Sequence, residues 1–243
     1  MTMLNSLKVA CANCSLQQLC VPVGLEGDEF SKLEAIVGRG RPLVKGSHIY
    51  LPADNFNSLY AIRAGAVKTY TISTDGEEHV TGFYLPGEVI GLDAVCSGTH
   101  PCGARTLETT SLCELPFDRL EDLAAVVPSI SRQLLRIMSQ ELRSDEQLLM
   151  MVGSQSAEAR LASLFLSLSM RLNRRGYSAT EFNLSMSRAD IGSFLGLAVE
   201  TVSRLIKRMQ ENKLVSINHR EVKLLDLDKL RTIAGKGANS IMN

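Results

Sequence analysis

The chain has 243 residues, 45% hydrophobic and 21% charged, with no tryptophan and a formal net charge of zero. These values fit one large or two small globular domains and exclude a disordered, fibrous or membrane-spanning chain. The zero is unevenly made: residues 1–153 hold 12 Lys and Arg against 18 Asp and Glu, a balance of −6, whereas residues 154–243 hold 14 against 8, a balance of +6. A basic C-terminal third predicts a polyanion-binding module joined to a different body.

Residues 1–10 show no periodicity and are expected to fray. Nothing after Met1 reads as a signal peptide, so a cytoplasmic protein is expected, where structural disulfides are disfavoured. Cys11, Cys14 and Cys20 then fall within ten residues, in a chain with six cysteines. Three thiolates at this spacing can converge on zinc, copper(I) or an iron–sulfur cluster. They are one short of four ligands, and Cys96, Cys102, Cys113 or a histidine could supply the last. The rival is a zinc staple, although only one CxxC unit is present. The four histidines, His48, His79, His100 and His219, are dispersed and read as surface residues.

Residues 27–37 carry Phe30, Leu33, Ile36 and Val37 at helical spacing. From about Arg39 to Leu115 the texture changes to short β-branched runs: 48–50, 58–63, 67–72, 79–85 and 111–115. Asp75-Gly76 reads as a hairpin turn. Evenly spaced short strands predict an antiparallel roll able to enclose a small ligand. A helix follows over 118–126, and Pro128 opens a long one to Val152. On it Ser131, Leu135, Met138, Leu142, Asp145, Leu149 and Val152 recur at alternating spacings of four and three, a coiled-coil seam. Ile130, Leu134, Ile137, Met138 and Leu148 form a second stripe that could face the roll. Two stripes predict a homodimer helix rather than a core helix of a monomer. Asp145 would face its own copy there, and like charges at close range oppose association.

Gly153-Ser154 is a hinge candidate, and residues 156–175 form a further amphipathic helix. Residues 187–195 and 199–209, separated by Gly196-Leu197-Ala198, have the helix-turn-helix pattern. Residues 214–217 and 221–225 make a two-stranded wing. The bland alternative is an αα-hairpin for protein contacts. On the second helix Glu200, Ser203 and Arg204 share one face and suit base edges of double-stranded DNA. Lys207, Arg208 and Lys213 suit phosphates. The expected fold is α+β: an N-terminal antiparallel β-roll, a long dimerisation helix and a C-terminal winged helix-turn-helix.

This layout resembles the cyclic-AMP receptor superfamily. Cys11-x2-Cys14-x5-Cys20 with Cys113, together with residues 59–63, 81–83, 87–91 and 199–204, resembles the FNR (fumarate and nitrate reduction) oxygen sensors within it. The resemblance implies a cluster-binding segment at 1–25, a sensory roll at 26–126, a dimerisation helix at 127–153 and a DNA-binding domain at 154–243. It implies a [4Fe–4S] cluster on Cys11, Cys14, Cys20 and Cys113, with Cys96 and Cys102 as non-ligands. It further implies an activator or repressor that reads TTGAT-type half-sites and contacts RNA polymerase, with the Asp75–Glu78 turn as one candidate surface. Oxygen-driven loss of the cluster would separate the dimer, which uses Leu135, Met138, Leu142, Asp145 and Leu149. Two departures stand out. Thr99-His100-Pro101-Cys102 lacks the arginine a cyclic phosphate would need, and Val199 stands where the cyclic-AMP branch has arginine. A zinc-stapled regulator without oxygen sensing is the alternative. An enzyme is not expected: no paired carboxylates, nucleophile elbow or phosphate loop is visible.

Overall fold

The computed structural model describes residues 10–235, so the expected fraying at residues 1–9 lies outside the described residues. Along the chain run α1 (Glu29–Glu34), β1 (His48–Tyr50), β2 (Ser58–Ala64), β3 (Val67–Ile72), β4 (Glu78–Tyr84), β5 (Val89–Ile90), β6 (Gly103–Thr106) and β7 (Ser111–Pro116). Then follow α2 (Phe117–Val126), α3 (Pro128–Ser154), α4 (Ala157–Asn173), β8 (Glu181–Asn183), α5 (Arg188–Leu195), α6 (Val199–Glu211), β9 (Val215–Asn218), β10 (Glu221–Leu224) and α7 (Leu227–Ala234). They form two compact units. The first holds residues up to 67 and 84–138; the second holds 68–83 and those from 139 onward.

In the first unit β2 is the central strand of a sheet ordered β5-β2-β7. Its pairing with β7 is antiparallel and sets Leu59 opposite Leu115 and Ala61 opposite Cys113. Leu59, Ala61 and Leu115 are buried in one core with Leu33 of α1, Leu120 of α2, and Ile130 and Ile137 of α3. Of the inner stripe expected on α3, Ile130 and Ile137 are buried in this core and Leu134 packs partly against it, whereas Met138 is 47% exposed and Leu148 is not part of this core. Helix α1 is shorter than the expected 27–37. Gly38 has left it to exchange two 2.8 Å backbone hydrogen bonds with Glu114, and a helix cannot continue through that bridge. The break between α2 and α3 falls at Val127, the residue before Pro128, where the proline ring disfavours helical backbone.

In the second unit α4 buries Leu161, Leu164, Phe165 and Leu168. The hinge expected at Gly153-Ser154 is not there. Helix α3 runs through both residues, and the break falls at 155–156, where Ser156 Oγ accepts from Ala159 N at 3.2 Å and starts α4. An N-cap serine fixes a helix start more strongly than an internal glycine ends one. Helix α5 starts with a capping box, Ser187 and Asp190 each accepting from the other's backbone. The wing is three-stranded, because β8 joins β10 with Phe182 opposite Val222. The β3–β4 hairpin packs on α5 within this unit. Lys68 Nζ lies 2.7 Å from Asp190 Oδ1, Val80 N donates to Ser193 Oγ at 2.8 Å, and the Phe83 and Phe194 rings are 5.0 Å apart.

Candidate metal centre and nucleic-acid interface

The cysteine segment is a succession of tight turns. Cys11–Asn13 is one 3₁₀ turn, and Cys14 N, Gln17 N, Leu19 N and Val23 N each donate to the carbonyl three residues back. This wrapping turns Cys11, Cys14 and Cys20 toward one recess, and β7 supplies Cys113 to the same recess. Its open space, solvent mouth included, is about 490 Å³. The rest of the lining is mainly apolar, with Arg39 and Arg63 but neither carboxylate nor histidine. The segment is seated by Leu19, whose Cβ would lie 3.0 Å from a side chain added at Gly87, which has φ +91°. It is tied to α3 by the buried Gln133, whose Nε2 donates to Cys20 O at 3.1 Å.

Burial pushes the Cys20 thiol up to about 12. Burial, then Glu34, pushes Cys11 up to about 12, partly opposed by the Arg39 charge. Burial also raises Cys113, with Arg39 and Arg63 pulling the other way. The raised values favour the thiol form, so these sulfurs would release protons on binding a metal. Among the described residues, no three His, Cys, Asp or Glu are gathered closely enough to hold a single metal ion. As a donor set, however, four thiols in a mostly apolar recess whose lining includes Gln17 but no carboxylate or imidazole fit a thiolate-bound centre. Cys96 is exposed, and Cys102 is buried elsewhere, donating to Asp93 Oδ2 at 3.0 Å, so neither joins them. His48, His79 and His219 are exposed as expected. His100 is not: it is 3% exposed and stacked on Tyr50 with ring centroids 3.7 Å apart. Its position between Thr99 and Pro101 gave no sign of that burial.

Helix α6 buries Val202, Leu205, Ile206 and Met209 and turns Glu200, Ser203 and Arg204 outward. Arg204 Nε donates to Glu200 O at 3.3 Å. Lys207 is free of the core, its side chain 80% exposed and 3.9 Å from Glu211. Arg208 is instead held by Glu158 Oε2 at 2.5 Å, and Lys213 follows the helix at φ +55°. Sequence reading missed Arg188, the first residue of α5, whose Nη1 donates to Ser203 Oγ at 3.2 Å and so joins the outward face. On α3, Leu135, Leu142 and Leu149 are 66%, 62% and 74% exposed in the single chain, and Asp145 is exposed between them.

A β-roll followed by a long helix and a winged helix-turn-helix defines a DNA-binding transcription regulator, and the comparisons agree. The Crp-like helix-turn-helix domain family matches residues 159–233, and the cyclic nucleotide-binding domain family matches 41–126. The transcriptional activator protein Anr of Pseudomonas protegens is 47% identical over 93% of this chain and 92% of its own. The fumarate and nitrate reduction regulatory protein of Salmonella typhimurium is 41% identical over 95% and 92%. The structure of FixK2 from Bradyrhizobium japonicum superposes with a TM-score of 0.72 at 29% identity, covering 81% of this chain and 96% of that one. The chain belongs to the FNR-type branch of the Crp/Fnr family of transcription regulators. Such proteins are not enzymes. No helix among the described residues is long and apolar enough to cross a membrane.

Proposed function

We propose that this protein is a cytoplasmic anaerobic regulator that senses oxygen through a [4Fe–4S] cluster held by Cys11, Cys14, Cys20 and Cys113. The observation that carries the reading is the meeting of a wrapped N-terminal segment with a roll-strand cysteine in a mostly apolar recess lined by no carboxylate or imidazole. The cluster supplies oxygen-sensitive iron chemistry. The chain's own residues supply the transmission. Cys20 O is bonded to Gln133, and Gln133 belongs to the helix whose outer stripe is apolar and exposed. With the segment docked, α3 is held for pairing with a second copy through Leu135, Met138, Leu142 and Leu149. Two α6 helices then stand about one DNA turn apart. Glu200, Ser203 and Arg204 read bases of TTGAT-type half-sites, while Lys207, Lys213 and, on leaving Glu158, Arg208 meet phosphates. The exposed Asp75–Gly76–Glu77 tip of the β3–β4 hairpin is a surface for RNA polymerase.

The test is protein purified without air, read by visible absorption and by iron and sulfide analysis. A broad charge-transfer band with both elements present is expected. Cys113→Ala should lose the band and specific DNA binding, while Cys96→Ala and Cys102→Ala should keep both. Colourless protein carrying zinc would replace the sensor with the stapled regulator, and iron lost in Cys102→Ala but kept in Cys113→Ala would move the fourth ligand.

A further inference from the structure

Arg39 is the one strongly charged side chain at the recess that is nearly enclosed. Only 9% of its side chain is exposed. Its Nη2 lies 3.4 Å from Cys11 Sγ and 2.8 Å from Glu34 Oε2, and its Nη1 bonds Glu34 Oε1. Its Nε is buried without a hydrogen-bond partner among the described residues. Glu34 in turn accepts from Cys11 N at 2.9 Å, so the carboxylate fixes both the arginine and the first cysteine. A carboxylate this close to Cys11 is unfavourable for a thiolate there. The Arg39 guanidinium partly offsets that effect, because its charge opposes the carboxylate's and its Nη2 donates to sulfur.

We infer that Arg39, aligned by Glu34, is a positioning residue of the cysteine centre: it compensates the negative charge of the bound cluster and donates a hydrogen bond to the Cys11 thiolate. The inference rests on the cluster reading above. Ligand sulfurs must be deprotonated to bind iron, and a half-buried centre with four thiolates would concentrate negative charge that water screens only in part. Hydrogen bonds to the sulfurs and local charge are among the factors that set the potential of such clusters. Removing the donor should therefore weaken iron retention and leave the cluster easier to oxidise. Partners that orient metal ligands change affinity by about ten- to a hundredfold when replaced. Arginine also fills the place better than lysine, because only its planar fork can hold both carboxylate oxygens and still reach sulfur.

The experiment uses full-length protein reconstituted without air: wild type, Arg39→Gln, Arg39→Lys and Glu34→Gln. Iron release to a ferrous chelator is followed without oxygen, and decay of the visible band is followed in air. Arg39→Gln should release iron about tenfold faster and bleach faster in air. Arg39→Lys should fall between it and wild type, and Glu34→Gln should resemble the lysine variant. Thermal melting of the iron-free proteins should stay together. A coloured wild type with Arg39→Gln indistinguishable from it overturns this inference alone. Faster loss accompanied by lower melting of the iron-free chain and no rescue by lysine makes Arg39 a folding residue, and also overturns it. A wild type that takes up no iron and sulfide overturns both this inference and the cluster reading.

Discussion

Arg204 and Lys207 sit about one turn apart on α6 and are prepared for different contacts. Arg204 lies with Glu200 and Ser203 on the outward face, and Arg188 reaches Ser203 from α5. A guanidinium there can pair with both acceptors of a guanine, so Arg204→Ala should cost about 1–3 kcal/mol per half-site and relax preference at that base. Lys207 is a mobile point charge, 80% exposed. Its loss should weaken all sequences alike and lower the slope of log affinity against log salt by about one. Fluorescence anisotropy with specific and random duplexes separates the two, and equal losses on both duplexes for Arg204→Ala would remove it from base reading. Glu200, Ser203 and Arg204 were legible because helical periodicity places them together. Arg188 was not, being 15 residues from Ser203 in sequence and joined to it only by the turn. Arg39 was hidden in the same way, 28 residues from Cys11.

The turn between α5 and α6 depends on one close approach. A Cβ on Gly192 would lie 2.6 Å from Leu197 O, a backbone atom fixed by its own residue's 2.8 Å hydrogen bond to Gly192 O. Gly196 ends α5 at φ +64°, which glycine adopts without strain. Gly192→Ala must therefore push the turn open, at about 1–3 kcal/mol by the usual scale of overpacking. The expected outcome is a lower thermal midpoint and weaker binding to every duplex, since the helix angle changes rather than one base contact. An unchanged midpoint would show that Leu197 can move aside freely. Elements whose pattern carries their fold, such as α3 and α6, were readable from sequence. Those that were missed are short or polar. β5 has two residues and β8 reads Glu-Phe-Asn, so neither offers a repeat, while β6 begins at a glycine. Helix α7 buries only Leu230 and Ala234 of its eight residues, a stripe too narrow to stand out.

For the whole molecule the proposed function makes the dimer constant the governing quantity, which α3 would set with few groups. Leu135, Leu142 and Leu149 are largely exposed in the single chain, and burying a leucine side chain contributes about 1.5–3 kcal/mol. Asp145 lies in the same stripe, so a symmetric pair brings two carboxylates near each other. At an effective dielectric near 20, two unit charges a few ångströms apart repel by about 2–4 kcal/mol. That is comparable with one leucine, so under the proposed function the repulsion would offset part of the apolar gain and leave the association open to control. In the proposed mechanism the state of the cysteine segment, acting through the Gln133 hydrogen bond to Cys20 O, would then decide it. Asp145→Ala removes the repulsion and adds apolar contact between Leu142 and Leu149. A gain of even 2 kcal/mol is roughly thirtyfold in the dimer constant, enough for the protein to pair and bind DNA with oxygen present. Leu142→Ala should do the opposite and weaken the dimer even without air. Sedimentation velocity on aerobic protein, wild type beside each variant, reads both. If aerobic Asp145→Ala sediments as the same monomer as wild type, the carboxylate is not the restraint, and the dimer uses another register of α3.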